Sequence, residues 1–360
     1  MARLDELLAR VKELRGSDLH LAAGVAPRLR VRGELAEAEG WSVQEDTTLR
    51  ELMREITNAE QWQEYEVRRD LDFAHAVAGV GRFRANYFVQ CSGAAAVFRL
   101  IPETILSVEE LGLPAAVAGL AQLDKGLVLV TGPTGSGKST TLAALIDRIN
   151  RSHARHIVTI EDPVEFVHEN KKSVLSHREV GTHSRGFGPA LRSAVRQDAD
   201  VVLVGEMRDR ETIGLAITAA EMGLLVFGTL HTSSAAKTID RVIDAFPAEE
   251  QNQVRISFSE SLAGVISQLL LPTADGKGRF AAHEILLRTS GLPNVIREGN
   301  TSMLSSIIQS GKALGMQAMD DVLFESVKSG RLLPADAHAK STNKARFEPL
   351  LGGRAAQTAA

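Results

Sequence analysis

A short segment between a strand-like run and a helix-like run has the residue types and spacing that bind phosphate groups. Gly132, any four residues, Gly137, Lys138 and Ser139 match every fixed position of the phosphate-binding loop of nucleoside triphosphatases. Glycines let backbone N–H groups wrap phosphate oxygens, and the start of the following helix adds its positive dipole. The lysine of such a loop reaches the β- and γ-phosphates, and the serine hydroxyl ligates Mg²⁺. We therefore expect Mg²⁺ and a nucleoside triphosphate to bind at Gly132, Pro133, Thr134, Gly135, Ser136, Gly137, Lys138, Ser139 and Thr140.

Two acidic residues end apolar, strand-like runs further along the chain. Glu161 ends the run in "IVTIEDPVEF", and Glu206 ends the run in "VVLVGEMRD". Because ligands collect at the carboxyl ends of parallel strands, both carboxylates should fall beside the phosphate loop. The usual magnesium-site pattern has an aspartate before the second glutamate, but Gly205 stands there. We predict that Glu161 activates the attacking water and that Glu206 organises the Mg²⁺ shell, through water.

One histidine and three arginines complete the candidate catalytic set. His231 follows the apolar run "LLVFGT", where a histidine either is a hydrogen-bonded structural group or senses the γ-phosphate. Strand alternation in "GRFRANYF" sends Arg82, Arg84 and Asn86 to one face, and Arg99 lies on the adjoining predicted strand. Charge that develops on the γ-phosphate needs a positive clamp. These arginines form either such a clamp, acting across a subunit boundary, or a solvated sheet face.

Four near-continuous apolar runs must position these residues. "GLVLVT", "HIVTIE", "VVLVGE" and "LLVFGT" are separated by helical stretches, a pattern typical of an α/β fold with a parallel sheet covered on both faces. We assign this core to residues 126–285. A helical C-terminal region is expected at 286–345 and a disordered tail at 346–360. Before the core, we expect a small α+β unit at residues 1–101 and a linker with a short helix at residues 102–125.

Composition narrows the possible partners. The formal net charge of the 360 residues is −4, so the bulk charge recruits neither DNA nor an anionic membrane. The single cysteine, Cys91, cannot form an internal disulfide, which favours a reducing cytosol. Because no run of about 18 apolar residues occurs, any membrane role should come through a partner. The chain has only two Trp and two Tyr, which argues against a channel that stacks single-stranded bases.

The chain resembles the pilus-retraction ATPases of type IV pili (PilT family), within the type II/IV secretion ATPase superfamily. The resemblance extends from "GSDLHLAAGVAPRLRVRGEL" to "GMQAMDDVL". Beside the phosphate loop, "TIEDPVEF" resembles the family's aspartate box and "VVLVGEMRD" its atypical magnesium box, which has glutamate alone. "TLHTSSAAKTIDRVIDAFP" resembles the histidine box and the residues that follow it. The missing aspartate is thus a feature that the chain shares with this family.

The resemblance implies an N-terminal PAS-like domain joined to a RecA-like ATPase domain, with six copies in a ring. ATP would lie between the two domains, and its hydrolysis would move one against the other. By position, Lys138 and Ser139 would bind phosphate and Mg²⁺, Glu161 would act as base, Glu206 would tune the metal, and His231 would couple the site. The stretch that supplies the family's arginine contacts to phosphate holds Arg82, Arg84 and Arg99.

The same resemblance implies a cellular setting. It places the chain in the cytoplasm, at the cytoplasmic face of the inner membrane. The implied partners are further copies of the chain and a pilus platform protein of that membrane, without nucleic acid. The implied activity is retraction of the pilus during twitching motility.

Two residues depart from the family pattern. Leu224 stands where the histidine box usually has an earlier histidine, and leucine can neither titrate nor donate a hydrogen bond. In the C-terminal retraction motif, matched here by "GLPNVIRE" at 291–298, Pro293 replaces the first arginine. Both changes are compatible with an accessory retraction paralogue rather than the principal motor.

Other functions share parts of this pattern. Pilus-assembly and type II secretion ATPases have the same core, but they typically carry extra N-terminal domains and commonly a four-cysteine zinc loop, so a single cysteine favours retraction. A small-molecule kinase would need an arginine-rich lid, and no such segment follows the phosphate loop. A nucleic-acid translocase and a non-hydrolysing, nucleotide-gated scaffold both remain open alternatives.

Overall fold

The computed structural model describes residues 2–102 and 104–351, and these fold as two compact units. The first unit comprises the chain up to residue 105 together with residues 162–167. The second comprises residues 106–161 and the chain from 168 onward. The sequence pattern predicts 162–167 as part of the core, whereas in the structure this short segment belongs to the first unit. Within the described ranges, no helix has both the length and the apolar character needed to cross a membrane.

The first unit is a six-stranded antiparallel sheet whose apolar face packs on three helices. Its elements are α1 (Arg3–Glu13), β1 (Gly16–Ala22), β2 (Arg28–Val31), β3 (Glu34–Glu37), α2 (Asp46–Arg54), α3 (Ala59–Arg68), β4 (Asp70–Val77), β5 (Gly81–Gln90) and β6 (Gly93–Ile101). The strands lie in the order β3-β2-β1-β6-β5-β4.

Strand β5 shows how the sequence pattern sets the two faces of this sheet. Phe83, Ala85 and Tyr87 are fully buried, as the two-residue alternation predicts. The Tyr87 ring meets those of Phe73 and Phe98 edge-on, with centroids 5.1 and 5.8 Å apart. These contacts fix the register, so the intervening arginines project from the opposite face.

The second unit is an α/β sandwich around a seven-stranded sheet. Its strands are β7 (Gly126–Thr131), β8 (His156–Glu161), β9 (Val174–Glu179), β10 (Val201–Val204), β11 (Leu225–Leu230), β12 (Leu262–Pro272) and β13 (Arg279–Leu287). Its helices are α4 (Ala115–Gly119), α5 (Lys138–Ser152), α6 (Phe187–Ala194), α7 (Arg210–Glu221), α8 (Ala235–Asp244), α9 (Ala248–Ser261), α10 (Leu292–Arg297), α11 (Leu304–Ser310), α12 (Met319–Lys328), α13 (Pro334–Lys340) and α14 (Lys344–Leu351). Short 3₁₀ turns lie at Leu120–Gln122, Thr301–Met303 and Lys312–Leu314.

The sheet of the second unit has the order β13-β12-β7-β11-β10-β8-β9. All neighbouring pairs are parallel except β12 and β13. Each of the four predicted apolar runs forms a strand, and helices bury both faces of the sheet. The predicted α/β fold with a parallel sheet is therefore confirmed.

The end of the described chain is helical where the sequence predicted disorder. Helix α14 runs from Lys344 to Leu351, and its Phe347 is fully buried against the edge of Phe324, with ring centroids 5.7 Å apart. The guanidinium of Arg346 pairs with Asp321 at 2.6 Å. The prediction of a disordered tail is therefore wrong for residues 346–351, and its remainder, 352–360, lies outside the described residues.

Candidate nucleotide site

Four adjacent strands bring the predicted site residues of the second unit to one edge of its sheet, whereas Arg82, Arg84 and Arg99 lie on strands of the first unit. Strands β7, β11, β10 and β8 lie side by side and run parallel. Their carboxyl ends lead, in this order, to the phosphate loop, His231, Glu206 and Glu161. These residues are separated by up to about a hundred positions in the sequence, and only the parallel topology makes them neighbours.

The phosphate loop turns sharply between β7 and α5. The N–H of Ser136 donates to the Pro133 carbonyl at 3.1 Å. Lys138 is buried, and its ammonium donates to the carbonyl oxygens of Gly132, at 2.9 Å, and Pro133, at 3.1 Å. The first N–H groups of α5 have no acceptor within the helix. The loop therefore brings together the ammonium of Lys138 and the N-terminal N–H groups of α5, which are the groups that bind a polyphosphate.

Behind the loop lies a residue that the sequence analysis missed. Gln268 on β12 is buried, and its amide donates to the Ser136 carbonyl at 2.6 Å. Its carbonyl oxygen accepts from the Thr141 hydroxyl at 2.8 Å. The only signal in the sequence is an amide within the apolar run "GVISQLLLP", where every buried polar group needs a partner.

A chain of contacts links the loop lysine to the second carboxylate. Lys138 Nζ lies 3.5 Å from His231 Nδ1, and His231 Nε2 lies 2.8 Å from Glu206 Oε1. Arg208 Nε lies 2.5 Å from the same oxygen. Burial alone would raise the pKa of Glu206, but the hydrogen bonds and charges of Arg208 and His231 lower it below its usual value. Glu206 is therefore held as a carboxylate.

Position 205, which holds glycine in place of the usual aspartate, is closely packed against Glu161. A Cβ at Gly205 would lie 3.2 Å from Glu161 Cα and 3.3 Å from Glu161 Cγ, closer than such contacts normally are. The Gly205 carbonyl also accepts from the Thr229 hydroxyl at 2.5 Å, which fixes the backbone here. A side chain at position 205 would therefore require Glu161 to shift by a few tenths of an ångström.

The three candidate arginines share one sheet face but have different partners. Arg84 and Arg99 face each other across β5 and β6. Arg84 forms a fork-shaped pair with Asp72, which raises the pKa of its guanidinium further. Arg99 Nε donates to Asp18 Oδ1 at 2.8 Å. Arg82 donates to the Val164 carbonyl at 3.4 Å, in the segment that directly follows Glu161.

The two departures from the family pattern lie away from the phosphate loop. Leu224 precedes β11, at the opposite end of that strand from His231, and its carbonyl accepts from the Gly126 N–H at 3.0 Å. Pro293 is buried in the first turn of α10, where its missing N–H costs nothing. The structure therefore accommodates both residues without strain.

The site fits a metal that arrives with the nucleotide. No group of three or more His, Cys, Asp or Glu side chains within residues 2–102 and 104–351 could enclose a cation. Mg²⁺ in nucleotide sites commonly uses one or two protein ligands, water and substrate phosphates. The half-buried Ser139 and the Glu206 carboxylate match that pattern of ligands.

Comparison with known proteins identifies the family. The model of the family described as "Type II/IV secretion system protein" matches residues 3–322. The type IV pilus retraction ATPase PilT of Pseudomonas aeruginosa is 51% identical over 94% of this chain and 98% of its own. The type IV pilus ATPase PilU of the same organism is 37% identical, over 97% and 91% of the two chains. A crystal structure titled as the pilus retraction motor PilT with bound ADP superposes with a TM-score of 0.88 at 43% identity, covering 96% of this chain and 98% of that one. The chain therefore belongs to the type II/IV secretion system protein family, in the group of the type IV pilus retraction ATPases.

Proposed function

We propose that the chain is an ATP-hydrolysing motor that powers retraction of a type IV pilus. The observation that carries this proposal is the phosphate loop with His231, Glu206 and Glu161 on adjacent strand ends. The 51% identity to a retraction ATPase, over 94% of this chain, supports pilus retraction as the process that the hydrolysis drives. ATP is the substrate that we infer, since the related PilT crystal structure has bound ADP, the product of ATP hydrolysis.

In the proposed mechanism, Lys138 leaves the carbonyls of Gly132 and Pro133 and donates to the β- and γ-phosphate oxygens. Glu161 accepts a proton from a water molecule, whose oxygen then bonds to the γ-phosphorus. The bond from that phosphorus to the β–γ bridging oxygen breaks, and ADP keeps the bonding electrons. Lys138 stabilises the charge that accumulates on the phosphate oxygens.

We infer that Ser139, and Glu206 through water, would hold Mg²⁺ when nucleotide is bound. The metal would neutralise charge on the phosphate oxygens. Glu206 suits this role because Arg208 and His231 keep its carboxylate ionised. His231 lies between Glu206 and Lys138 and contacts both. A shift of Lys138 when the γ-phosphate leaves would therefore change the position of the imidazole, and with it the hydrogen bond to Glu206.

We further propose the larger assembly. The first unit is assigned as a PAS-like domain, the core of the second as a RecA-like ATPase, and six copies as a ring. Arg82 and Arg84 are the better candidates for phosphate contacts, because Arg82 donates a hydrogen bond to the Val164 carbonyl and the guanidinium of Arg84 is stabilised by the charges of Glu165 and Asp162. All three of these partner residues lie in the segment that follows Glu161. Movement of the first unit against the second would do the work.

The setting that we propose is the cytoplasmic face of the inner membrane, with a pilus platform protein as partner and no nucleic acid. A principal retraction motor is favoured over an accessory one, because identity is 51% to PilT and 37% to PilU. Deletion of the chromosomal gene tests this. A retraction motor predicts abundant pili that do not retract, whereas a bare surface would indicate an assembly motor.

A biochemical assay separates the alternatives of other classes. ATP turnover of the purified chain should require Mg²⁺ and should not change when single-stranded DNA is added. Stimulation by DNA would favour a translocase. Nucleotide binding without turnover would favour a scaffold.

A further inference from the structure

We propose that Gln268 is a positioning residue that holds the phosphate loop in its binding shape. The inference rests on the proposed ATPase function and adds a residue to it. Gln268 lies on β12, the strand beside β7 on the side away from His231, and it is 3% exposed. It is therefore outside the row of strand ends that carry Glu161, Glu206 and His231.

The amide of Gln268 joins two parts of the nucleotide site. Its Nε2 donates to the Ser136 carbonyl, within the loop, at 2.6 Å. Its Oε1 accepts from the hydroxyl of Thr141, in the first turn of α5, at 2.8 Å. One rigid, planar group thus fixes the loop relative to the helix whose N-terminus faces the phosphates.

The two fixed glycines of the loop motif both lie close to residue 268. A Cβ at Gly132 would lie 2.2 Å from the main-chain carbonyl oxygen of Gln268, and a Cβ at Gly137 would lie 2.9 Å from its side-chain Nε2. Both glycines also have φ in the left-handed range, 144° and 87°. The loop is therefore seated directly on residue 268, and a side chain at either glycine would lift it off.

The hydrogen bond from Gln268 to the Ser136 carbonyl also orients a phosphate-binding N–H group, because of the geometry of the peptide bond. The Ser136 carbonyl and the Gly137 N–H belong to one planar trans peptide, so they point in opposite directions. When Gln268 holds the carbonyl on the sheet side, the N–H of Gly137 must point to the outer side of the loop. That is the side on which a phosphate-binding loop receives its ligand.

The kinetic consequence is specific. Loop N–H groups bind the phosphates in the ground state and in the transition state alike, so loss of their alignment removes uniform binding. Replacement of Gln268 by methionine, which has similar length and no hydrogen bonds, should raise KM for ATP about tenfold with kcat within about twofold. A merely structural defect would instead lower the active fraction, and hence kcat, at an unchanged KM.

Thr141 supplies an independent arm of the test. Thr141→Val removes the hydroxyl that orients the amide and should raise KM about threefold, whereas Thr141→Ser should keep the KM of the unmodified chain. Because both residues act through one amide, adding Thr141→Val to Gln268→Met should raise KM no further. His283→Met is the matched control, since His283 is the cross-strand partner of Gln268 on β13, the strand on the far side of β12 from β7, and is equally buried. Its KM should be unchanged.

The experiment is steady-state ATP hydrolysis by the full-length variants, with the affinity for ADP measured in parallel. An unchanged KM in both Gln268→Met and Thr141→Val would overturn the inference, as would an equal rise in His283→Met. If Gln268→Met does not fold, the Thr141 pair decides alone. An unmodified chain that neither hydrolyses ATP nor binds ADP would instead refute the proposed function.

Discussion

His231 donates a hydrogen bond from Nε2 to Glu206 Oε1 at 2.8 Å, while its Nδ1 lies 3.5 Å from Lys138 Nζ. A lysine ammonium can only donate, so Nδ1 is the acceptor and Nε2 carries the proton. The imidazole therefore has a defined tautomer set by its two neighbours. We therefore propose that His231 acts in the nucleotide site and is not a purely structural histidine.

Removal of this imidazole should slow hydrolysis without loss of nucleotide. We expect His231→Ala to lower kcat about tenfold or more, because Lys138 and Glu206 lose the group that aligns them. The affinity for ADP should change by less than about threefold, since the loop itself is intact. Steady-state kinetics and ADP titration measure both. His153→Ala, at the far end of α5, is the control. Equal kcat in the two variants would show that His231 is structural.

Glu161→Gln should abolish hydrolysis and leave nucleotide binding intact, since an amide cannot take the proton of the attacking water. The expected loss of kcat is about a hundredfold or more. Glu179 faces Glu161 across β8 and β9 and is buried, so Glu179→Gln is the matched control and should keep kcat within about twofold. Single-turnover hydrolysis and ADP binding are the measurements. Retained turnover in Glu161→Gln would remove Glu161 as the base.

Alanine at Arg82 or Arg84 should lower turnover about a hundredfold, well beyond any loss of affinity, if these arginines stabilise the charge on the γ-phosphate. Arg99→Ala should have the smaller effect, because Arg99 is tied to the buried Asp18. Arg28→Ala, on β2 of the same unit, should leave turnover unchanged.

The same variants test action between subunits. An Arg82→Ala subunit mixed with a Lys138→Ala subunit should recover activity that neither has alone, because the first keeps its loop and the second keeps its arginine. Absence of recovery at every mixing ratio would contradict an arginine that acts on a neighbouring subunit.

Stability should depend on pH through two buried histidines. Burial lowers the pKa of His283 to about 4, and burial together with the charge of His177 lowers that of His168 to about 4. Between an unfolded pKa of 6.5 and about 4, the unfolded chain binds protons that the folded chain excludes. The free energy of unfolding should therefore fall as the pH falls through this window.

Chemical denaturation at pH 7 and pH 4.5 measures this effect. His283→Gln, which cannot take up the proton, should show a smaller fall in the free energy of unfolding than the unmodified chain does. His153→Gln changes a half-buried histidine at the C-terminal end of α5 and should leave the fall in the free energy of unfolding unchanged. A fall of the same size in His283→Gln would show that His283 does not contribute to the pH dependence.

The sequence predicted the parallel sheet and the phosphate loop because both depend on local patterns. Buried parallel strands need continuous apolar runs, and the loop needs fixed glycines. Gln268 escaped prediction because its role arises from the pairing of β12 with β7, which no local pattern specifies. The helix at Lys344–Leu351 was missed because burial of Phe347 depends on Phe324, more than twenty residues earlier in the sequence. Segment 162–167 was misassigned for the same reason, since Arg82 and Val164 meet only in the folded chain.

Movement of the first unit against the second, driven by ATP hydrolysis, is the central claim. Cys91, the single cysteine, is exposed on the first unit, and Lys277→Cys would add an exposed site on the second. Spin labels at these two positions, in the Glu161→Gln background, give the distance between the units with ATP and with ADP bound. We predict distance distributions that differ between the two nucleotides. One unchanged distribution, whichever nucleotide occupies the site, would contradict the claim.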